Sequence, residues 1–328
     1  MTIKLDFKDR KILYELDKNS RQSNAAIAKK VGISKQVVGF RLKRLAARKV
    51  ITYYTIIDIA RLGFTAHKIF LRLQDFDAEK ERALIKYLQT NPNILWAASC
   101  DGKFDFAFSV WAKNMEQLDD ALKEFSKNFG ESSAEKQMAS IIRGDYFVRD
   151  YLVDEKIASS RPSFFGSMIR QEKIDEIDSQ VLFELGKSAR VQSIELAQKI
   201  SVGAGVIAGR IKRLEKCSII QGYNIVPNES QYPYLHYKVL VGVHPMSIAQ
   251  EKSFAEYCKV TENIVYLAKT LGPWEFEIDL EVESAEQFRR IMMNLKTQFK
   301  EIIKDYSALH IYQVHKYCFC PSIPEQEL

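Results

Sequence analysis

Residues 5–13 read LDFKDRKIL, and 169 positions later residues 174–182 read IDEIDSQVL. The two stretches share both aspartates and the final leucine, and RLKRL at 41–45 returns as RIKRL at 210–214. Over residues 5–56 and 174–225, 17 of 52 positions are identical without a gap. A repeat of this length marks a duplicated structural unit, so we predict that the chain contains the same fold twice.

The repeat continues at an offset of 170, where DGKFDF at 101–106 lies over LGPWEF at 271–276. Each copy is long enough for two modules. Between the copies, Ser159-Ser160-Arg161-Pro162-Ser163 and Gly166-Ser167 are typical of a linker. We predict modules at 1–63, 64–154, 171–228 and 229–328, with a linker at 155–170.

The first module of each copy is predicted to be helical. In copy one, Asp6, Ser23 and Ser34 are candidate helix caps, and Gly32 is placed to end the second helix. The apolar positions of the third helix step by four and three residues, which indicates one buried face. Three short helices followed by a β-rich segment at 51–59 are typical of a winged helix-turn-helix.

The second module alternates strands and helices in the order β-α-β-β-α-β, which is ferredoxin-like. In copy one we predict strands at 67–73, 94–100, 104–111 and 135–143, and helices at 79–90 and 115–129. The predicted class is α+β, with a winged helix-turn-helix and then a ferredoxin-like βαββαβ domain in each copy.

Positive charge is concentrated in the first module. Residues 1–63 carry 15 basic and 5 acidic side chains, a net charge of +10 against +6 for the whole chain. Both ferredoxin-like modules are net acidic. Solvation of exposed helices explains some of this charge, but its localisation favours a surface that binds double-stranded DNA.

The third helix of copy one is the predicted recognition helix. Near its start, Lys35 can reach guanine and Gln36 can pair with adenine. Phe40 can contact a thymine methyl or pack against the wing. The other DNA-binding candidates, several of them suited to phosphate contacts, are Arg21, Ser23, Ser34, Arg41, Lys43 and Arg44.

The equivalent helix of copy two has lost these chemical groups. Small residues stand at the positions of Lys35, Gln36, Gly39 and Phe40, and none has a side chain that hydrogen-bonds a base edge. We predict a second head that binds DNA weakly, non-specifically or not at all; a smooth helix that approaches the groove floor closely is the alternative. The small residues are Ala204, Gly205, Ala208 and Gly209, and the remaining phosphate candidates are Arg210, Lys212 and Arg213.

These motifs resemble the Lrp/AsnC (feast/famine) family of transcription regulators. The resemblance rests on LD-x-x-D-x-x-IL at 5–13, NSRQS at 19–23, S-x-x-x-V-x-x-RL-x-x-L at 34–45 and VI-x-x-Y at 50–54, and it covers nearly the whole chain twice. It implies that the ferredoxin-like modules are RAM domains, which dimerise through their sheets and often bind an amino acid. By position, the effector contacts would be Gly102, Asp105, Gly272 and Glu275; a tight turn between strands is the alternative.

Members of the family usually have one copy and form a symmetric dimer. Because the two copies are joined here and have diverged, we expect an internal pseudo-dimer with one RAM sheet packed on the other and unequal DNA heads. Association of two such chains into a further homodimer would restore two strong heads, and with them a palindromic site.

An enzyme is the competing interpretation, because sirohaem decarboxylases also resemble Lrp/AsnC proteins and occur as two-copy chains. Their expected His-Asn-Tyr-x-Arg segment is replaced here by WAASC at 96–100 and YLAKT at 266–270. The sequence has no other catalytic motif, and we predict no catalytic residue, cofactor or metal. A second head that recruits transcription machinery is a further alternative.

Three remaining patterns bear on binding and location. Residues 275–283 read EFEIDLEVE, which places five carboxylates on one strand face, as a solvated surface, a surface facing a basic partner, or a cation site. The only close cysteine pair, Cys318 and Cys320, is a weak metal signal. No secretory signal and no apolar run of membrane-spanning length is present, so a cytoplasmic location is expected.

Overall fold

The computed structural model describes residues 3–153, 163–166 and 171–318. Most of the predicted linker lies outside these residues. Copy one contains α1 (Phe7–Lys18), α2 (Asn24–Val31), α3 (Lys35–Ala47), β1 (Ile51–Ile57), β2 (Thr65–Leu73), α4 (Ala78–Thr90), β3 (Ile94–Asp101), β4 (Phe106–Ala112), α5 (Met115–Phe129) and β5 (Ser133–Tyr146).

Copy two repeats this order after a short strand in the predicted linker, β6 (Ser163–Gly166). The predicted α+β class is confirmed, with both helical heads and both βαββαβ modules present. The elements are α6 (Glu176–Lys187), α7 (Ser193–Ile200), α8 (Ala204–Lys216), β7 (Ile220–Pro227), β8 (Leu235–Val243), α9 (Ile248–Val260), β9 (Ile264–Leu271), β10 (Phe276–Val282), α10 (Ala285–Gln298) and β11 (Ile303–Tyr317).

Capping side chains set the helix boundaries of the first head. Asp6 and Asp9 form a reciprocal capping box at the start of α1, each side chain accepting the backbone N–H of the other residue. Ser23 and Ser34 cap α2 and α3 through their hydroxyl oxygens. Gly32 ends α2 with a left-handed φ of 71°, which glycine adopts without steric penalty.

The strand after each helical head pairs with the other head. β1 and β7 form an antiparallel two-stranded sheet in which Tyr54 lies opposite Asn224. The predicted β-rich segment is therefore a strand, but its ladder partner comes from the other copy. Because each strand satisfies the backbone groups of the other, the two heads are held side by side.

The two ferredoxin-like modules share one sheet. Its strand order is β2-β4-β3-β11-β8-β10-β9-β5-β6, and an additional pairing of β2 with β5 closes eight of the strands into a ring. The modules meet where β3 pairs with β11 and where β5 pairs with β9. The sequence predicts one sheet packed on the other; the edges are joined as well, because edge strands need partners for their backbone groups.

Apolar side chains fill both sides of this ring. Phe70, Trp96 and Phe104 of copy one meet Trp274 and Leu309 of copy two in a shared inner core. Outside the ring, each module has a separate core between its own strands and its own two helices. Successive side chains along a strand therefore point alternately into the core of their own module and into the inner core that both copies share.

Candidate DNA-binding surface and buried charge network

Helix α3 exposes most of the side chains predicted to read DNA. Val38, Leu42 and Leu45 are buried in the head, so the residues between them face outward. Phe40 is 68% exposed, which excludes the alternative that it packs against the wing. The exposed candidates on and beside this helix are Ser23, Ser34, Lys35, Gln36, Phe40 and Lys43.

Arg41 and Arg44 face the first turn of α1. Arg41 Nη1 lies 2.6 Å from Oδ2 of Asp6 and 2.8 Å from Oδ1 of Asp9, and Arg44 also donates to Asp9. Asp9 is only 1% exposed, so these pairs hold the recognition helix against α1. A phosphate contact by either arginine has to compete with these carboxylates.

The second head repeats these ion pairs. Arg210 Nη1 lies 2.5 Å from Asp175 and 3.3 Å from Asp178, and Arg213 also donates to Asp178. Lys212 is exposed between them. The same arginine–aspartate ion pairs therefore hold α3 and α8 within their heads, and Lys212, which has no ion pair within the described residues, is the remaining candidate for a phosphate contact.

The outer face of α8 is smooth and apolar. Ala204, Gly205 and Gly209 are exposed, and Val206 beside them is 46% exposed. The N-cap, Gly203, has no side chain with which to cap the helix. The helix keeps the length of α3 while presenting no side-chain donor or acceptor at the four substituted positions.

A pair of arginines joins the two heads. Arg21 Nη1 donates to the carbonyl oxygens of Ala189 at 2.6 Å and Val191 at 3.0 Å, and Arg190 Nη1 donates to that of Ser20 at 2.6 Å. The sequence predicts a phosphate contact for Arg21; in the structure its guanidinium is bound at the seam between heads, so a phosphate would have to compete with these carbonyl oxygens. Sequence alone missed this role because the acceptors are main-chain oxygens.

The two predicted effector turns pack against the opposite copy. A Cβ on Gly102 would lie 2.8 Å from the carbonyl oxygen of Ala308, and one on Gly272 would lie 2.7 Å from that of Met138. Both distances are too short for a side chain. Glycine is therefore required at these turns for the close approach of the two copies.

The acidic residues of these turns are bound to backbone. Asp105 Oδ2 accepts the N–H of Leu73 at 2.7 Å, and Glu275 Oε2 accepts the N–H of Val243 at 2.9 Å. Each carboxylate thus fixes the end of a neighbouring strand. This geometry accounts for the glycine–aromatic–acid pattern as a tight turn, the alternative to a ligand contact.

The acidic run of β10 points into the ring rather than into solvent. Glu277 is fully buried and Glu281 is 4% exposed. Lys68 Nζ lies 2.5 Å from Glu277, and Lys238 donates to Asp279 and lies 3.6 Å from Glu277. The cations that face these carboxylates are buried lysines of the same chain, and the prediction of a solvated surface is wrong for them.

Arg149 connects this network to both heads. It donates to Asp17 of α1 at 2.6 Å, to Glu281 of β10 at 2.8 Å and to the carbonyl oxygen of Ile225 in β7 at 3.3 Å. Burial alone would lower the pKa of Arg149, but the charges of Asp17 and Glu281 keep it well above its usual value. Sequence reasoning missed this junction.

The missed signal was asymmetry within the repeat. Asp17 stands opposite Gly186, and the inward carboxylates of β10 stand opposite Ala107, Ser109 and Trp111. Lys68 and Lys238, in contrast, occupy equivalent positions. Some carboxylates are found in one copy and not in the other. This pattern indicates an interior shared by both copies, in which one set of carboxylates neutralises the buried cations of both.

Burial and ion pairing shift the pKa values of the side chains in this network. Burial lowers the pKa of Lys68 to about 8, with the neighbouring Lys238 acting in the same direction and Glu277 opposing both. His236 would also be lowered by burial, but its contacts with Asp279 and Glu229 raise its pKa to about 9. Burial would raise the pKa of Asp279; the charge of Lys238 brings it far below its ordinary value.

A cavity of about 60 Å³ adjoins this network beneath the paired strands of the heads. Its walls combine aromatic rings with charged side chains of the network, among them Lys68, Arg149, Lys238 and Asp279. Within the described residues no group of three or more histidine, cysteine or acidic side chains is arranged to hold a metal. Cys320, of the predicted weak metal pair, lies outside those residues. The described helices include none long and apolar enough to cross a membrane.

Comparisons with known proteins agree with the geometry of the heads. The winged helix-turn-helix DNA-binding family model matches residues 5–52 and 174–221. A leucine-responsive regulatory protein of Rhizobium meliloti is 26% identical over 152 residues, covering 46% of this chain and 97% of that protein. An HTH-type transcriptional regulator of Pyrococcus horikoshii is 31% identical over 117 residues, covering 35% of this chain and 77% of that protein.

A further relative and one solved structure extend the comparison. The HTH-type transcriptional regulator AldR of Mycolicibacterium smegmatis is 34% identical over 116 residues, covering 35% of this chain and 68% of AldR. The crystal structure of the siroheme decarboxylase NirDL matches 98% of this chain and 96% of its own, with a TM-score of 0.60 and 11% identity, a likeness of fold. The chain therefore belongs to the Lrp/AsnC family of transcription regulators and carries the family's unit twice.

Proposed function

We propose that the chain regulates transcription by binding DNA sequence-specifically, as a covalent pseudo-dimer with a strong first head and a weak second head. The observation that carries this proposal is the contrast between two helices of the same length. α3 exposes Lys35, Gln36 and Phe40, whereas α8 exposes Ala204, Gly205 and Gly209 at the equivalent positions; Lys43 and its equivalent Lys212 are exposed in both. Only the first surface offers side-chain hydrogen bonds to base edges.

Each exposed side chain of the first head has a distinct proposed role. Lys35 and Gln36 lie at the N-terminal end of the recognition helix, the part that contacts bases in helix-turn-helix proteins, and would read guanine and adenine. Phe40 would contact a thymine methyl. Lys43 would bind phosphate, together with Arg41 and Arg44 if their ion pairs with α1 open. Ser23 and Ser34 can donate to phosphates, because their oxygens cap helices as acceptors.

The strand pairings support the pseudo-dimer. β1 with β7, β3 with β11 and β5 with β9 join the copies at three places, so the spacing of the two recognition helices is fixed within one chain. With unequal heads, one chain would bind an asymmetric site, and two chains would bind a palindrome. The proposal also includes a cytoplasmic location for the chain. It keeps the module boundaries at 1–63, 64–154, 171–228 and 229–328.

Response to a small amino-acid-like effector stays part of the proposal. At the turns of Gly102 and Gly272 the ammonium of such a ligand would have to displace the N–H of Leu73 from Asp105 or that of Val243 from Glu275. The ligand ammonium and the backbone N–H therefore compete for the same carboxylate. Isothermal titration of the wild type and of Asp105→Asn with single amino acids would detect such binding.

The likeness to the siroheme decarboxylase NirDL over nearly the whole chain favours tetrapyrrole chemistry as a second candidate. Against it stand the segments WAASC at 96–100 and YLAKT at 266–270, which replace the His-Asn-Tyr-x-Arg segment expected of that enzyme family and contain no histidine. We therefore propose that the chain is not an enzyme. Incubation with sirohaem should leave the absorption spectrum of the pigment unchanged; a shifted spectrum and released carbon dioxide would favour the enzyme.

The test of the proposed function uses the full chain, because the two halves share strands and would each lose them on truncation. We would select bound sequences from a random DNA library and then measure affinity across a salt series. Lys35→Ala and Gln36→Ala should each reduce discrimination between the selected site and random DNA by about 1–3 kcal/mol. Lys43→Ala should weaken all DNA similarly and reduce the salt slope by about one.

Lys212→Ala, at the position of Lys43 in the second head, is the matched control. It should change affinity less than Lys43→Ala does. Equal losses from both variants would show that the heads contribute equally, and unchanged discrimination in Lys35→Ala and Gln36→Ala would reject α3 as the reading helix.

A further inference from the structure

The two arginines at the seam between the heads make different hydrogen bonds. Arg21 of copy one donates to main-chain carbonyl oxygens of copy two. Arg190 of copy two donates through Nη1 to the carbonyl oxygen of Ser20, and through Nη2 to a side-chain oxygen, Oδ1 of Asn24, at 3.2 Å. Among the described residues, Arg190 is therefore the seam arginine that hydrogen-bonds a side chain of the other head.

The residues that receive Arg190 are absent from the equivalent positions of copy two. Asn24 is the first residue of α2, and Ser193 is the first residue of α7. The guanidinium of Arg190 also packs over the ring of Tyr53 at 5.3 Å, and the equivalent of Tyr53 in copy two is Gly222. The contact thus runs in one direction across the seam, from the second head to the first.

The bond to Arg190 fixes the orientation of the Asn24 amide. A guanidinium carries donors and no acceptor, so the amide oxygen has to face Arg190 and the amide NH₂ has to face away from it. The NH₂ group then lies beside the recognition helix, where the position of a Cβ on Gly39 is 3.6 Å from Nδ2. Nδ2 donates to no acceptor within the part of the chain that the structure describes.

These amide donors lie at the surface that the proposed function places on DNA. Gly39 precedes Phe40 in α3, and Ser23 precedes Asn24 at the start of α2; Phe40 and Ser23 are both exposed. The surrounding head is strongly basic, with a net charge of +10 over residues 1–63. A phosphate oxygen of DNA is the acceptor that such a surface attracts.

We propose that Asn24 is a further DNA-contacting residue, which donates an amide N–H to a phosphate oxygen, and that Arg190 of the second head is its positioning residue. This inference rests on the proposed function of the first head. The guanidinium restricts the amide before DNA is bound, so the contact costs less conformational entropy. The second head thereby contributes to the DNA affinity of the first without reading a base.

The experiment measures the affinity of the full chain for the selected site and for random DNA across a salt series. Asn24→Ser, which introduces the residue of the second head, should weaken both affinities about tenfold, as expected for loss of one hydrogen bond to a charged group. Because an amide is uncharged, the salt slope should keep its wild-type value; a slope reduced by about one would contradict the proposal. Asn294→Ser, the same exchange on the exposed side of α10, is the matched control and should leave the affinity unchanged.

Arg190→Lys tests the positioning role while it keeps the positive charge. One ammonium cannot replace the guanidinium fork that binds Ser20 and Asn24 together, so the affinity should fall about as far as in Asn24→Ser. The double variant should bind no more weakly than either single variant, because both changes remove the same contact. Thermal unfolding of each variant shows whether it folds.

The possible failures are distinguishable. Additive losses in the double variant would overturn the positioning role of Arg190. Wild-type affinity in Asn24→Ser, with discrimination still lost in Lys35→Ala, would overturn the phosphate contact and leave the proposed function intact. A wild type that selects no DNA sequence would reject the proposed function and this inference with it.

Discussion

Helices α3 and α8 have the same length and the same buried stripe, yet the first halves of their outer faces differ in chemistry. Both are held to the preceding helices by an arginine pair on a buried aspartate, Asp9 in one head and Asp178 in the other. At the positions where α3 exposes Lys35, Gln36 and Phe40, α8 exposes Ala204, Gly205 and Gly209, while Lys43 and Lys212 are exposed in both. After the duplication, packing preserved the inner faces, and the outer faces were free to diverge.

The ferredoxin-like modules differ in the opposite sense. Their outer surfaces carry similar amphipathic helices, whereas their inward strands differ where the copies meet. Lys68 and Lys238 are equivalent, but the inward carboxylates come from copy two alone. In the shared interior the carboxylates of copy two serve both copies, because Glu277 pairs with Lys68 of copy one and Asp279 pairs with Lys238 of copy two.

The largest expected effect comes from making the interiors alike. Glu277→Ala gives copy two the residue that copy one has at this position, Ala107. It leaves Lys68 buried without its carboxylate and should lower the free energy of unfolding by about 3–5 kcal/mol in urea titration. Lys68→Met/Glu277→Leu should restore most of the loss; a single variant as stable as wild type would show that the pair contributes nothing.

A smaller effect should appear in the pH dependence of stability. The pKa of His236, next to Glu229 and Asp279 and near Glu281, is raised from 6.5 to about 9 in the folded chain. The folded state therefore holds this proton more tightly, and stability is greatest below pH 6.5 and falls as pH rises through 9, by up to about 3 kcal/mol. The lowered pKa of Lys68 gives the opposite slope, with stability rising from pH 8 towards 10.5.

Chemical denaturation between pH 6.5 and 8 separates these two groups. Wild type should lose stability over this interval, and His236→Gln should remove most of the slope. Copy one has Ala66 at the equivalent position, so no matching contribution is expected from it. A slope that persists in His236→Gln would assign it to another group.

Removal of either arginine at the seam tests how symmetric the heads are. Arg21→Ala and Arg190→Ala each delete charged donors to main-chain carbonyls of the other head and should each lower the free energy of unfolding by about 2 kcal/mol. Urea titration of both variants gives the comparison. A large loss from one and none from the other would show that the seam is held from one side.

Conversion of the second head should sharpen the contrast in DNA binding. Ala204→Lys/Gly205→Gln places the side chains of Lys35 and Gln36 on α8. Affinity for a palindrome of the selected site should rise about tenfold, the effect of one additional good base contact. Affinity measured against random DNA is the control; an equal gain there would indicate added charge alone.

The smallest expected effect concerns the helix backbone of α8. Gly209 lies in the helix interior with open space where a Cβ would stand. Gly209→Ala should raise the free energy of unfolding by about 0.5–1 kcal/mol, because alanine loses less backbone entropy on folding. A calorimetric melting curve detects this change, and destabilisation would mean that the position contacts a neighbour.

Patterns that repeat were readable from the sequence, and pairings between the copies were not. Capping by Asp6 and Ser34, the stop at Gly32 and the order of strands follow from local chemistry. The roles of Arg21, Arg149 and Gly102 do not, because their partners are main-chain atoms or residues far along the chain. The exposed face of α3 was predictable, since helix periodicity places it opposite the buried stripe.

The sequence by itself determined the duplication, the α+β class, the helix boundaries of the first head and the chemical inequality of the two recognition helices. These are properties of spacing and residue type within a short stretch. The tertiary structure alone decided that the sheets close into one ring, that β1 pairs with β7 and that the acidic strand faces inward. Each of these depends on which strand edge or side chain of the other copy is adjacent, and periodicity carries no information about that neighbour.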